Sequence, residues 1–279
     1  MNVQRLAAFC DGDTGGNPAG VYIADEHPPV VQMQSIAAAV GYSETAFARP
    51  SGEQWRVRYF SPETEVPFCG HATIALGAAL TRQFGDDVFD LVLNENQISV
   101  EGFTDKQRYW AALQSPPTHS RLASDATVSE ALDLFGYKST DLDDAIPPGR
   151  ANGGADHLVI GLCSRRALSA MNYSLAAGRT FMRDANLVTV MFVYRENARL
   201  FQCRNPFASG GVYEDPATGA AAAAFAGYLR DLSWPHEGEI DLVQGEDMGS
   251  RSLINAKIPE ASGSSICVSG AARFLSAPE

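Results

Sequence analysis

Two runs of small apolar residues, "CGHATIALGAAL" at 69–80 and "EDPATGAAAAAF" at 214–225, lie 145 positions apart in the chain. They coincide at Ala72/Ala217, Thr73/Thr218, Ala75/Ala220, Ala78/Ala223 and Ala79/Ala224. At helical spacing neither run offers much of a polar face, and a helix that is apolar nearly all round is buried at the centre of a lobe. Alanine is common in helices, so the matches gain their weight from context. Each run follows a strand ending near an arginine, Arg58 or Arg204, and then a proline-containing loop. The pattern predicts two related lobes, each wrapping a sheet around one buried helix, over about 71–84 and about 217–231.

Strand-like runs and turn signals surround these helices. "RLAAF" leads into the glycine-rich "CDGDTGGNPAG" and then the strand "VYIA", while Val30, Met33, Ile36, Ala37 and Val40 share one helical face. "ETAFAR", "QWRVRYF", "VFDLVL", "ISVEGF" and "RYWAAL" read as strands. The polar, proline-containing stretch 114–125 is the best linker candidate. Beyond it come a helical "TVSEALDLFG", a glycine loop "PPGRANGG", and the strands "HLVIGL", "LVTVMFVY", "ARLFQC", "IDLVQG", "SLINAKI" and "SSICVSGAARFL". The expected division is 1–116 and 117–279, with the C-terminal strand 265–279 as a candidate to join the first lobe.

Composition narrows the function. A net charge of -12 repels phosphate backbones, which argues against nucleic-acid and anionic-membrane partners. No run approaches the roughly 20 apolar residues of a membrane span. The five cysteines are scattered and form no CxxC pair, so neither a disulfide framework nor a structural zinc site is expected. A reducing cytoplasm is the simplest location.

The candidate chemical residues each carry an ordinary reading as well. In "YEDPATG", Asp215 before Pro216 suits a helix cap, and Gly219, which costs about 1 kcal/mol relative to alanine inside a helical turn, points to something approaching the backbone closely there. In the first lobe Gly70 takes the equivalent cap position and offers no acceptor, which leaves the N–H groups of His71, Ala72 and Thr73 open to an anion. Cys69, just before that helix, is either a thiol of lowered pKa or a small buried hydrophobe. His71 at a helix N-terminus is disfavoured as a cation, and is either an acid/base group or a satisfied structural histidine. Glu44, in "GYSETAF", is either a solvated surface group or a buried base of raised pKa. His27, His119, His157 and His236 are too scattered to complete a metal site, so none is expected. "DGDTGGNPAG" lacks the Lys-Ser/Thr ending of a phosphate-binding loop.

Taken in order, "GGNPAGV", "SETAF", "RYFSPETEVPFCGHATIA", "GGVYEDPATGAA" and "QGEDMGSRSLI" resemble the PhzF family of phenazine-biosynthesis-like proteins, over about residues 6 to 275. The resemblance implies an α+β, diaminopimelate-epimerase-like fold of two pseudo-symmetric lobes, each a mostly antiparallel sheet around a central helix, with the active site between them. It also implies isomerisation, without a cofactor, of a small cyclic amino acid, trans-2,3-dihydro-3-hydroxyanthranilate in the characterised family members. Glu44 matches the family's proton-moving glutamate, and His71 and Asp215 match its assisting residues. Asn17, Cys69, Gly70, Ala72, Thr73, Thr218 and Gly219 are the expected substrate-binding positions. A homodimer is a further family expectation. Two departures stand out. Racemases and epimerases of this fold oppose two cysteines, whereas here Cys69 occupies the first position and Glu214-Asp215 stand where the second would be, and "GSRS" replaces a "GRPS"-like turn.

The expected function is therefore a cofactor-independent isomerase of a small carboxylate, with Glu44 as acid/base. The alternatives are a Cys69-dependent epimerase or racemase of a small amino acid, and a non-catalytic small-acid-binding protein on the same fold. A Cys–His hydrolase is weak, since Cys69 and His71 sit only two residues apart at one turn.

Overall fold

The computed structural model describes residues 3–94 and 96–276. The chain divides into two compact units, residues 1–114 with 269–279, and residues 115–268.

The first unit runs β1 (Gln4–Ala8), β2 (Asn17–Ile23), α1 (Val30–Val40), β3 (Thr45–Ser51), β4 (Gln54–Phe60), β5 (Glu65–Val66), α2 (Gly70–Phe84), β6 (Asp87–Val92), β7 (Gln97–Asp105) and β8 (Arg108–Gln114). Its sheet order is β1-β2-β3-β4-β6-β7-β8 followed by the C-terminal strand Cys267–Phe274, which also pairs with β1 through Leu6 opposite Phe274. The sheet thus closes on itself, leaving no edge to guard. Helix α2 occupies the interior, packed on β1, β2, β7 and β8, and every residue from His71 to Thr81 is buried. Small residues make this possible. A Cβ on Gly77 would stand 2.7 Å from Val100, and one on Gly102 would meet Thr81 Oγ1 at 2.0 Å and the Gly77 carbonyl at 2.8 Å.

The second unit contributes β9 (His119–Leu122), α3 (Asp125–Phe135), β10 (Gly149–Asn152), β11 (Asp156–Leu162), α4 (Arg165–Ser169), α5 (Leu175–Asp184), β12 (Thr189–Arg195), β13 (Leu200–Arg204), α6 (Gly219–Asp231), β14 (Glu239–Gln244) and β15 (Ser252–Lys257). Its strands run in order from β9 to β15, and Ser115 and Thr118 hydrogen-bond to Ile266 and Ser264. Helix α6 packs on β9, β10, β11 and β15. On the other side of the sheet, Phe135, Tyr137, Tyr173, Phe181 and Phe192 form an aromatic-rich core under α3 and α5.

The repeat extends to strand direction. In the first unit the pairs from β1 onward alternate antiparallel, parallel, antiparallel, parallel; from β10 onward the second unit does the same.

Two sequence expectations change, and two helices are added. The 114–125 linker candidate instead supplies β9 and Ser124, which caps α3 by accepting from the Thr127 N–H. The expected glycine loop at 147–154 contains β10, paired on both sides; Gly149 is there because a Cβ would lie 2.4 Å from the Tyr228 ring. Helices α4 and α5 lie where no element was expected from sequence, although Ser164 and Ser174 cap them. Among the described residues no helix is long and apolar enough to cross a membrane.

Candidate active site

Glu44 is placed by backbone constraints on both sides. Helix α1 ends in a left-handed Gly41 (φ 73°) whose N–H bonds back to Ala37 O, turning the chain at once toward β3. The Glu44 carbonyl then accepts from the Gly20 N–H at 3.1 Å, and β2 lies so close that a Cβ on Gly20 would strike Thr45. The Glu44 side chain is left 13% exposed.

Cys69 and His71 come from the start of α2. Cys69, not Gly70, is the N-cap; its backbone is extended, and no side chain caps the helix. Gly70 is the first helical residue. The Thr73 N–H is not open as expected, because it donates to Cys69 O at 3.0 Å. Thr73 Oγ1 donates to the same carbonyl at 2.7 Å and contacts Tyr59 Oη at 2.6 Å. Burial raises the Tyr59 pKa well above the ordinary phenol value, so its hydroxyl keeps its proton. This lock holds the helix start rigid.

The result is a compact cluster. His71 Nε2 lies 3.4 Å from Glu44 Oε2 and 3.3 Å from Ser43 Oγ, and its Nδ1 lies 3.4 Å from Cys69 Sγ. One carboxylate oxygen, one sulfur and one imidazole nitrogen lie within 4.8 Å of one another. Such a group can take a proton from carbon, pass it through an imidazole and return it. Ala72 and Thr73 are fully buried beside it. Asn17 opens β2 opposite Ala8 and is 3% exposed.

In the second unit Asp215 is not the helix cap. Helix α6 begins at Gly219 with Thr218 as N-cap, so Gly219 does not interrupt a helix interior. Gln244 spans the intervening turn, donating to the Asp215 carbonyl at 2.6 Å and accepting from the Thr218 N–H at 3.2 Å. Thr218 Oγ1 donates to the Asp215 carboxylate and accepts from Asn205 Nδ2. Behind it, Arg204 grips buried Glu214 through two hydrogen bonds.

Each helix start is therefore built on one plan. Arg58 bonds both oxygens of Glu65, as Arg204 does those of Glu214. The residue after each arginine, Tyr59 or Asn205, bonds the threonine at the helix start, Thr73 or Thr218. Ser43, Tyr59, Asn205 and Gln244 were not singled out from sequence. The repeated strand-loop-helix pattern held a signal for Tyr59 and Asn205, since each follows its arginine directly.

The phenazine biosynthesis-like protein family (PhzC-PhzF) matches residues 6–277. A trans-2,3-dihydro-3-hydroxyanthranilate isomerase from Pseudomonas fluorescens is 31% identical, over 92% of this chain and 90% of its own length. A PhzF-family protein from Bacillus anthracis superposes with a TM-score of 0.85 at 19% identity, covering 99% of this chain and 98% of its own. A protein described as a probable proline racemase from Agrobacterium radiobacter shares the fold at a TM-score of 0.66 and 9% identity, covering 98% of this chain and 90% of its own. The chain belongs to the phenazine biosynthesis-like protein family and is an isomerase of the group its curated relatives represent.

Proposed function

We propose that the protein moves a proton between carbons of a small cyclic carboxylic or amino acid without a cofactor, with Glu44 as the acid/base group. The observation that carries the reading is the 3.4 Å approach of His71 Nε2 to the Glu44 carboxylate in a nearly dry setting. A carboxylate beside an imidazole can accept a carbon-bound proton and keep it from bulk water until it is returned. His71 orients Glu44 and relays the proton. Asp215 takes an assisting role, as the family resemblance implies. The substrate of the Pseudomonas fluorescens relative supports a cyclic amino acid as the substrate class.

The test is proton exchange in heavy water with cyclic amino acids of the dihydro-hydroxyanthranilate type. Glu44→Gln should lose exchange by about 10²-fold or more; retained exchange in that variant overturns the role of Glu44.

A second reading, a one-thiol epimerase, is favoured by Cys69 Sγ lying 3.4 Å from His71 Nδ1. It requires Cys69→Ser to abolish exchange while Glu44→Gln leaves it intact.

A further inference from the structure

We propose that Glu44, Cys69 and His71 form a three-ligand binding site for zinc. No metal site was expected from sequence, because no partner for Cys69 and His71 was visible there. The fold supplies that partner in Glu44.

The donor set is a carboxylate oxygen, a sulfur and an imidazole nitrogen, all within 4.8 Å of one another. Thiolate and imidazole together select borderline-soft ions such as zinc over magnesium or calcium. The nitrogen–oxygen distance also fits. Tetrahedral zinc with bonds of about 2.0–2.1 Å to nitrogen, about 2.0–2.2 Å to oxygen and about 2.3 Å to sulfur places nitrogen and oxygen roughly 3.4 Å apart, and nitrogen and sulfur roughly 3.6 Å apart. From His71 Nε2 the observed separations are 3.4 Å to Glu44 Oε2 and 3.9 Å to Cys69 Sγ. Ser43 Oγ lies 3.3 Å from the same nitrogen, near enough to reach a fourth ligand or its water. With the ion on Nε2 the sulfur stands roughly 5 Å from Nδ1 rather than the 3.4 Å seen, so the shell closes when the Cys69 side chain swings toward Nε2.

The site is also nearly dry, and the backbone of its helix start is held in place. His71 and Glu44 are 7% and 13% exposed at their side chains, and the Cys69 carbonyl is held by both the N–H and the hydroxyl of Thr73. Binding exchanges the thiol proton for the metal, and that proton leaves to solvent; nothing is oxidised or reduced. The ion occupies the lone pairs that Glu44 and His71 need for proton transfer, so zinc inhibits the isomerase. That consequence rests on the proposed function; the binding site itself does not.

The experiment titrates metal-free protein with Co²⁺ as a spectroscopic probe and with Zn²⁺ by calorimetry. A thiolate-to-cobalt charge-transfer band and a single zinc site are expected. Cys69→Ser should abolish the band and weaken zinc by at least about 100-fold, since loss of an outer partner alone costs about 10- to 100-fold. Glu44→Gln should weaken zinc and keep the band. Cys163→Ser, at the exposed thiol of the second unit, should change neither. Thermal unfolding of each metal-free variant separates ligand loss from misfolding. Absence of the band in the native chain, or its survival in folded Cys69→Ser, overturns the site. Zinc bound at the triad without slowing proton exchange leaves the site standing and overturns the inhibition, together with the role given to Glu44.

Discussion

Glu44 and His71 face one another across 3.4 Å, one delivered by the short path from α1 to β3, the other by the first turn of α2. Neither position makes sense of the other locally. Their meeting depends on the closed sheet that fixes β3 against β2 while α2 fills the interior. Mutation of His71 should therefore affect chemistry before stability. His71→Asn is expected to lower the rate of proton exchange by about 10²-fold or more, with little change in the substrate concentration at half-saturation. Steady-state kinetics beside a thermal melt checks both parts.

The Arg204–Glu214 pair supports the second helix start with the two side chains 9% and 2% exposed. Removing one partner strands a buried charge. Arg204→Ala should cost about 3–5 kcal/mol in urea unfolding, whereas Arg204→Met with Glu214→Leu should recover most of it. An Arg204→Ala variant of native stability would show that the pair does not hold this turn.

The close approach of α2 to its sheet leaves no room for added volume. Gly102→Ala pushes a methyl group against Thr81 Oγ1 and the Gly77 carbonyl. A loss of about 1–3 kcal/mol is expected, read as a lower urea midpoint with an unchanged slope. Gly52→Ala is the steric contrast, since nothing lies within 4 Å of its added Cβ; its positive φ still adds backbone strain.

Acid sensitivity follows from two histidines, buried His157 and half-buried His27. Burial lowers the pKa of His157, whose Nδ1 bonds Thr189, to about 4. Burial, then the nearby Arg49, lowers that of His27 to about 4 as well. The unfolded chain binds these protons near pH 6.5 and the folded chain does not, so stability is full above about pH 6.5 and declines as the pH falls toward 4. His157→Gln should flatten that acid limb without removing it, because His27 remains. Urea unfolding between pH 7.5 and 4.5 measures the slope.

What the sequence revealed, and what it hid, follows the range of each interaction. The two central helices were legible because a run of alanines and glycines needs no partner to declare itself buried. Cys69 and His71 were legible as neighbours. Glu44 was legible as either a surface group or a buried base, and only the family resemblance chose between them, since His71, which gives it meaning, is far along the chain. Asp215 looked like a cap because Asp-Pro commonly is one; Gln244, arriving on β14, holds the turn open and passes the cap position to Thr218. Gly149 looked like a loop residue when its smallness serves the Tyr228 ring. Such tight approaches leave no periodic mark.

The strand Cys267–Phe274 completes the sheet of the first unit by pairing with β1. A ribosome making this chain emits the first unit's other strands early, yet cannot deliver their missing neighbour until the whole second unit has been synthesised. The first unit's sheet therefore cannot close until after the second unit has been made. The second unit, contiguous from 115 to 268, is free to mature while the first waits as an open sheet with two raw edges, exposed to proteases and to copies of itself. Nascent chains arrested before residue 267 should be cut preferentially in the first unit, and release of the last strand should end that vulnerability.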